Sequence, residues 1–288
     1  MDKNQMVCAV VVTYNRKKLL LECLEALLAQ TRPLDAIYII DNASTDGTSC
    51  LLKEKGYADT VLKKTHLFYV QMPENTGGAG GFHEGIKRAY ERGYDWIWVM
   101  DDDAVPEPES LLRLLETVHS RNDKCFCSNC DADVEFTKPI KEVGNWLFVG
   151  AFIHRSIVES VGLPRKDFFI YHDDGEYAYR IIKYGHKIIK ARDSVIKHGD
   201  FSGREWHKKI ILGRTIGIPK LPDWKFYYYI RNELLKYRYD DINKYKALYH
   251  TAQSGLKILL VNKVQFPIFF RAFFHGVIGR AGKIVGPT

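Results

Sequence analysis

Nowhere among the 288 residues does an uncharged apolar run approach the ~18 residues that a membrane-spanning helix requires, so no spanning helix is expected. The opening Met1-Asp-Lys-Asn-Gln5 lacks the apolar core of a secretory leader and runs straight into a strand pattern, which makes the cytoplasm the expected location. A G-x-x-x-x-G-K-[ST] phosphate loop is missing, and the dinucleotide spacing fails because His83 stands five positions after Gly78. Cysteine is sparse at six residues, and Cys8, Cys23 and Cys50 lie in apolar patterns where a free thiol acts as a small hydrophobe. Cys125-x-Cys127-x-x-Cys130 has no fourth ligand at finger-like spacing, which favours a strand of reduced thiols over zinc.

What the chain does have is an abrupt charge at the end of an apolar strand. Trp96-Ile-Trp-Val-Met100 leads into Asp101-Asp-Asp103, three carboxylates that no core tolerates. Strand alternation sends Asp101 and Asp103 one way and Asp102 the other, offering two oxygen ligands to a hard divalent cation. In open α/β sheets the carboxyl ends of strands are where ligands bind, so a metal-bridged nucleotide diphosphate is the first reading.

An apolar content of 46% supports a full core. Met6–Thr13 reads as a buried strand, Lys17–Gln30 as a helix, Ala36–Ile40 as a second strand and Thr48–Lys55 as a short helix. A strand near Leu67–Gln71, a helix to Arg92 and the Trp96–Met100 strand continue the alternation, implying an α/β fold with a mostly parallel sheet flanked by helices. Pro106 and Pro108 are expected to open a helix reaching Ser120, since proline is tolerated in a first turn. Strand-like pieces follow at Cys125–Cys130 and Trp146–Ile153, then a helix near Arg155–Val161. From Trp224 the pattern is helical, over Phe226–Tyr237 and Lys244–Leu260, the latter with Tyr245, Leu248, Tyr249, Ala252 and Leu256 at three-to-four spacing. The expected organisation is a catalytic domain over residues 1–222 and a C-terminal helical region over 223–288.

Several loops at expected strand ends carry polar groups. Thr13, Asn15 and Arg16 follow the first strand, and Asp41-Asn-Ala-Ser-Thr-Asp-Gly-Thr48 follows the second. A carboxylate such as Asp41 there suits a base N–H or a ribose hydroxyl, although the same residue types serve as turns and caps. After Asn75, Gly77, Gly78, Gly80 and Gly81 precede a helix, allowing a close approach of backbone to an anion. In a second acidic cluster, Asp173, Asp174 and Glu176 repel one another, which raises at least one pKa toward the range of a general base; the others orient substrate or cap the helix. His198 ends a short strand, and an imidazole beside paired carboxylates favours manganese over magnesium.

Read in order, TYNR, DNASTDGT, NTGGAGGF, WIWVMDDDA, FFIYHDDGEYAYR, IKHG and DWKFYYYIRNELLK resemble the inverting family 2 glycosyltransferases of GT-A fold, and within them bacterial galactofuranosyltransferases. The resemblance implies that Thr13 and Asp41 help hold a nucleoside and that Asp101 lies near the ribose or diphosphate. Asp103 and His198, with Asp101, bind the metal, and Asp174 is the general base. Asp173, Glu176, Trp146, Trp206 and His207 are the implied acceptor contacts, and Asn15, Arg16, Asn75, the four glycines and Asp102 the donor contacts. The function that the resemblance implies is transfer of a sugar, galactofuranose from UDP-galactofuranose, onto a hydroxyl of a lipid-linked saccharide in cell-surface polysaccharide synthesis. The alternatives are a rhamnosyltransferase using dTDP-rhamnose and a non-catalytic nucleotide-sugar-binding subunit. A nucleotidyltransferase would need a G-x-G-x-R signature where Thr-Tyr-Asn-Arg stands.

Charge is uneven along the chain. Residues 204–288 carry 16 Lys/Arg against 5 Asp/Glu, and from Ile242 onward there are seven Lys/Arg and no acid, interleaved with Phe266, Phe269, Phe270, Phe273 and Phe274. Two readings stand: contact with an anionic membrane surface at its cytoplasmic face, or aromatics that pack a helical layer while the lysines are solvated.

Overall fold

The computed structural model describes residues 5–130, 137–199, 205–211, 214–239 and 244–286. The chain divides into two compact units, the first built from residues 1–166 and 177–199, the second from residues 167–176 and 200–288.

The first unit is a single large sheet with helices. An interior strand is β1 (Val7–Thr13), a run of seven buried residues whose β-branched side chains suit a strand covered on both faces. It pairs in parallel with β2 (Ala36–Asp41) and with β5 (Trp96–Asp101). α1 (Lys17–Leu28) buries Leu20, Cys23, Leu24 and Leu27, one face of a helix, and α2 (Thr48–Glu54) follows β2. β3 (Thr60–Leu62) and β4 (Thr65–Gln71) extend the sheet beyond β2, β4 in parallel and β3 as an antiparallel edge. β3 was not anticipated, because three half-exposed residues show no measurable period.

α3 (Gly77–Glu91) explains much of the glycine cluster. A Cβ at Gly81 would lie 2.5 Å from Val12 Cγ1 and one at Gly85 2.3 Å from Val10 Cγ1, so this helix packs closely on the valine side chains of β1. Gly77 itself has φ of +73°, a left-handed conformation that glycine adopts without steric cost.

Beyond β5 the sheet becomes mixed. β9 (Ala151–His154) runs antiparallel to both β5 and β7 (Cys125–Cys130), and β7 pairs in parallel with β10 (Ile188–His198). β8 (Ile140–Val143) and β6 (Ala104–Pro106) both pair antiparallel with β10. The helix expected from the prolines starts later than they suggested. Ala104–Pro106 is captured as an edge strand by β10, with Pro106 opposite Ile196, and α4 (Ser110–His119) begins only after it. Likewise the strand expected over Trp146–Ile153 is limited to β9, and Trp146 lies in the segment before it. α5 (Arg155–Val161) lies where the pattern put it. Cys125, Cys127 and Cys130 occupy β7 as free thiols, and burial pushes the Cys125 and Cys127 thiols well up.

The second unit contains the first turn of α6 (Asp173–Lys183), a hairpin of β11 (Trp206–Ile211) and β12 (Arg214–Pro219), and three helices, α7 (Asp223–Tyr239), α8 (Lys244–Val261) and α9 (Phe266–Ile278). The sequence carries no strand pattern for the hairpin, since β11 is exposed or half-exposed from Trp206 to Ile210 and shows no alternation of burial. In α8 the side chains of Tyr245 and Leu248 lie outside the described residues. The core of this unit gathers Phe169, Ile218, Phe226, Tyr227, Tyr228, Ile230, Ile258, Phe269 and Ala272. No described helix is long and apolar enough to cross a membrane.

Candidate active site

The register of the parallel strands aligns three predicted residues at one edge of the sheet. Thr13 stands opposite Asp41 across β1 and β2, and Val12 stands opposite Asp101 across β1 and β5. The strand stops at Asp101, so Asp102 and Asp103 form the turn into β6 rather than continuing the alternation. The divergence expected from alternation is not kept in full, since Asp102 and Asp103 both reach Arg16 Nη1, at 3.2 and 3.0 Å. Asp102 turns inward, where it accepts the Thr13 hydroxyl at 2.7 Å and Arg16 Nη1 at 3.2 Å, while Asp101 and Asp103 join a different group.

That group is completed from far along the chain. β10 pairs with β6 so that His198 stands opposite Ala104, which brings its Nε2 to 3.0 Å from Asp103 Oδ1. Asp101, Asp103 and His198 then offer ligand atoms that all lie within 4.8 Å of one another. Two carboxylate oxygens and an imidazole nitrogen form a donor set that fits a divalent metal ion. Arg16 Nη1 reaches Asp103 Oδ2 at 3.0 Å as well as Asp102, yet one guanidinium beside three carboxylates leaves negative charge in excess. The consequence appears in the pKa values. Burial, then the charges of Asp103 and Asp102, push Asp101 up to about 7. Burial also raises Asp102, against the hydrogen bond from Thr13 and the charge of Arg16. At Asp103 burial acts upward too, but His198 and Arg16 outweigh it and hold the carboxyl below its ordinary value.

The remaining donor-side residues form a linked set of loops. Asn15, at φ of +55°, accepts the Thr45 N–H at 2.7 Å, and its own N–H donates to Ser44 Oγ at 2.9 Å. Asp41 is fully buried and accepts the Ser44 N–H at 2.8 Å and the Tyr69 hydroxyl at 2.7 Å. Asn42, which the sequence reading passed over, ties this loop to the glycine segment by donating to the Gly77 carbonyl at 3.0 Å and accepting the Thr76 hydroxyl at 2.9 Å. Asn75 accepts the Gly77 N–H at 2.8 Å. Gly80 sits where a Cβ would meet the Thr76 side chain at 2.3 Å, whereas one at Gly78 would touch only Phe82, at 3.8 Å. Trp146 is buried beside Phe148 and lines a cavity of about 250 Å³ with Cys127, Ser128, Val149 and Lys190.

In the second unit, Asp173, Asp174 and Glu176 form the first turn of α6, where the helix dipole favours negative charge. Asp174 Oδ1 accepts the Gly175 N–H at 2.6 Å, and burial pushes its pKa up to about 6 in spite of that bond. Glu176 is fully buried and Asp173 nearly so. The loop leading into them is strained, with Phe169, Tyr171 and His172 all at φ between +66° and +68°. Arg231 and Asn232 hold it. Asn232 Nδ2 donates to the carbonyls of Phe168, Ile170 and Tyr171 at 2.8, 2.7 and 2.9 Å, and Arg231 Nη2 to Phe168 at 3.0 Å. These two residues were legible as part of a motif, but no periodicity could tell what they grip. Trp206 and His207 lie on β11, opposite Pro219 and Ile218, with Trp206 half exposed.

The family model for glycosyl transferase family 2 matches residues 8–184, which contain the loops of Thr13, Asp41 and Gly77, the acidic triplet and the α6 carboxylates. The chain belongs to glycosyl transferase family 2. This family 2 enzyme is 28% identical to the galactofuranosyltransferase GlfT1 of Mycobacterium tuberculosis over 251 residues, spanning 78% of this chain and 80% of that protein. It is 26% identical to the dTDP-rhamnosyl transferase RfbF of Shigella flexneri over 91% of this chain and 92% of the relative. A mannosyltransferase of Pyrobaculum calidifontis, solved in complex with GDP-Man and Mn2+, superposes with a TM-score of 0.59 at 18% identity, covering 98% of this chain and 77% of its own. The chain therefore has the GT-A architecture of a glycosyltransferase, as the motif order implied.

Proposed function

We propose that this glycosyltransferase is metal-dependent and inverting, and that it moves galactofuranose from UDP-galactofuranose onto a hydroxyl of a lipid-linked saccharide at the cytoplasmic face of the membrane. The observation that carries the metal and donor chemistry is the meeting of Asp101, Asp103 and His198 within 4.8 Å. The choice of sugar is supported by the similarity to GlfT1 across four-fifths of that protein. In this reading residues 1–222 are the catalytic domain and residues 223–288 its helical appendage.

Asp101, Asp103 and His198 would hold a divalent ion, and an imidazole among the ligands would favour manganese over magnesium. When bound, a divalent cation offsets the negative charge that develops on the departing nucleotide diphosphate. Thr13, Asn15, Arg16, Asp41, Asp102, Asn75 and the backbone of Gly77, Gly78, Gly80 and Gly81 shape the donor site. Asp174 accepts the proton of the acceptor hydroxyl as its oxygen attacks the anomeric carbon from the face opposite the leaving group. The new C–O bond forms, the bond to the diphosphate oxygen breaks, and configuration inverts. A carboxylate with a pKa raised to about 6 remains ionised at neutral pH and is a better proton acceptor than an ordinary one. Asp173, Glu176, Trp146, Trp206 and His207 are assigned to acceptor contact or its support.

A second reading, transfer of rhamnose from its dTDP donor, has the specific support of RfbF, which matches over nine-tenths of both chains. Supplying the purified protein with Mn2+ or Mg2+, a lipid-linked saccharide and each nucleotide sugar in turn separates the two. Release of UDP that requires both UDP-galactofuranose and acceptor is the expected result. Turnover with dTDP-rhamnose alone would replace the first reading by the second.

A further inference from the structure

The last two helices present apolar surface on the side away from their own core. α9 buries Phe269, Ala272, His275 and Gly276. A Cβ on Gly276 would lie 2.7 Å from Leu234 Cβ, and His275 Nδ1 lies 2.6 Å from the Tyr227 hydroxyl, so this face is committed to α7. The opposite face is apolar too. Phe270, Phe274, Val277 and Ile278, at three-to-four spacing, are 63%, 55%, 42% and 49% exposed. α8 repeats the arrangement, with Gly255 turned onto Phe269 and Ile258 buried, while Tyr249, Leu256 and Leu259 face outward. Val264, between the two helices, is 82% exposed.

α9, whose outward side is nearly as apolar as its buried one, is of the kind that belongs in a core or against lipid, and α8 adds apolar side chains interspersed with Gln253 and Lys257. The surrounding charge chooses between partners. Lys257, Lys263, Arg271, Arg280 and Lys283 are all exposed, and no acidic residue occurs from Ile242 to the end of the chain. Pairing two copies about a two-fold axis would bring this cationic rim against itself, since the same patch appears on both partners. An anionic surface meets it with complementary charge. Helices of 18 and 13 residues without a spanning apolar window are suited to lying in the plane of the interface rather than crossing it.

We infer that α8 and α9 form a docking surface for an anionic phospholipid bilayer, with Leu256, Leu259, Val264, Phe270 and Phe274 entering the headgroup boundary and Lys257, Lys263 and Arg271 meeting lipid phosphates. The surface gives the lipid-linked acceptor reading a place to operate; for its purpose it rests on that reading, while its own basis is the exposed side chains alone.

Sedimentation of the full chain with vesicles tests it. The protein is expected to pellet with phosphatidylcholine vesicles containing phosphatidylglycerol, to bind pure phosphatidylcholine more weakly, and to release as salt screens the attraction. Phe270→Ser with Phe274→Ser should lower the partition coefficient by about tenfold or more, from the apolar area withdrawn. Leu256→Ser with Val264→Ser should do the same from the neighbouring helix, and circular dichroism of both variants should match the parent. Undiminished pelleting of both folded variants, or no pelleting with anionic vesicles, overturns the inference. So does a dimer in sedimentation velocity that these substitutions dissolve, which would give the face to a second copy. Vesicle binding needs neither donor nor acceptor, so its failure leaves the transfer reaction untouched. Absent transfer with intact vesicle binding would instead remove the reaction and keep the surface.

Discussion

Asn232 donates to the Ile170 carbonyl at 2.7 Å, and through this and two further carbonyl contacts it holds a loop whose backbone is left-handed at three non-glycine positions. The same loop enters the turn that carries Asp174. Asn232→Asp keeps the shape and removes every N–H donor, leaving an acid among buried carbonyl oxygens. We expect a loss of about 3 kcal/mol or more in unfolding free energy, from several lost bonds to buried acceptors, measured by urea denaturation. A stability within about 0.5 kcal/mol of the parent would mean that the loop keeps its conformation without this grip.

Asp174→Asn preserves size and one acceptor oxygen but cannot take a proton. Transfer should fall by about 10²-fold to 10⁴-fold while nucleotide affinity is retained. Burial raises the Asp174 pKa to about 6, so the group is protonated and inactive below that pH and ionised above it. The rate in the parent should therefore rise as pH increases through about 6 and level off above. A profile that is flat between pH 5 and 7 would assign the base elsewhere.

His198→Ala leaves Asp101 and Asp103 without their imidazole partner. Calorimetric titration with Mn2+ in the presence of UDP should show affinity weakened by about tenfold or more if His198 is one of three ligands, as proposed. Asp103→Asn should act in the same direction. Unchanged affinity in both variants would detach the cluster from metal binding.

Gly81→Ala tests the packing of α3 on β1. An added Cβ would sit 2.5 Å from Val12 Cγ1, and a β-branched strand residue has little rotamer freedom with which to retreat. Destabilisation of about 1–3 kcal/mol is expected from overpacking. Gly78→Ala, whose Cβ would meet only Phe82 at 3.8 Å, should be nearly neutral. Equal stability of the two variants would show that the helix shifts freely.

The sequence by itself determined the elements that bury their own side chains. β1 and β2 were legible because their residues are apolar or small up to the closing Asp41, and α1 because its leucines follow the helical period. The acidic triplet was legible because three carboxylates after five apolar residues have no packing explanation. Elements whose burial is partial, such as β3 and the β11–β12 hairpin, carried no such period and were missed.

Only the tertiary structure decided which distant groups meet. His198 reaches Asp103 because β6 forms as an edge strand on β10 in one particular register, which also displaced the start of α4 past the prolines. Asn232 reaches its three carbonyls because α7 and the 168–171 loop pack in one unit. Periodicity reports how each segment divides between water and core, a local property. Register and long-range hydrogen bonds depend on the other strands and helices being in place, and no window of sequence contains them.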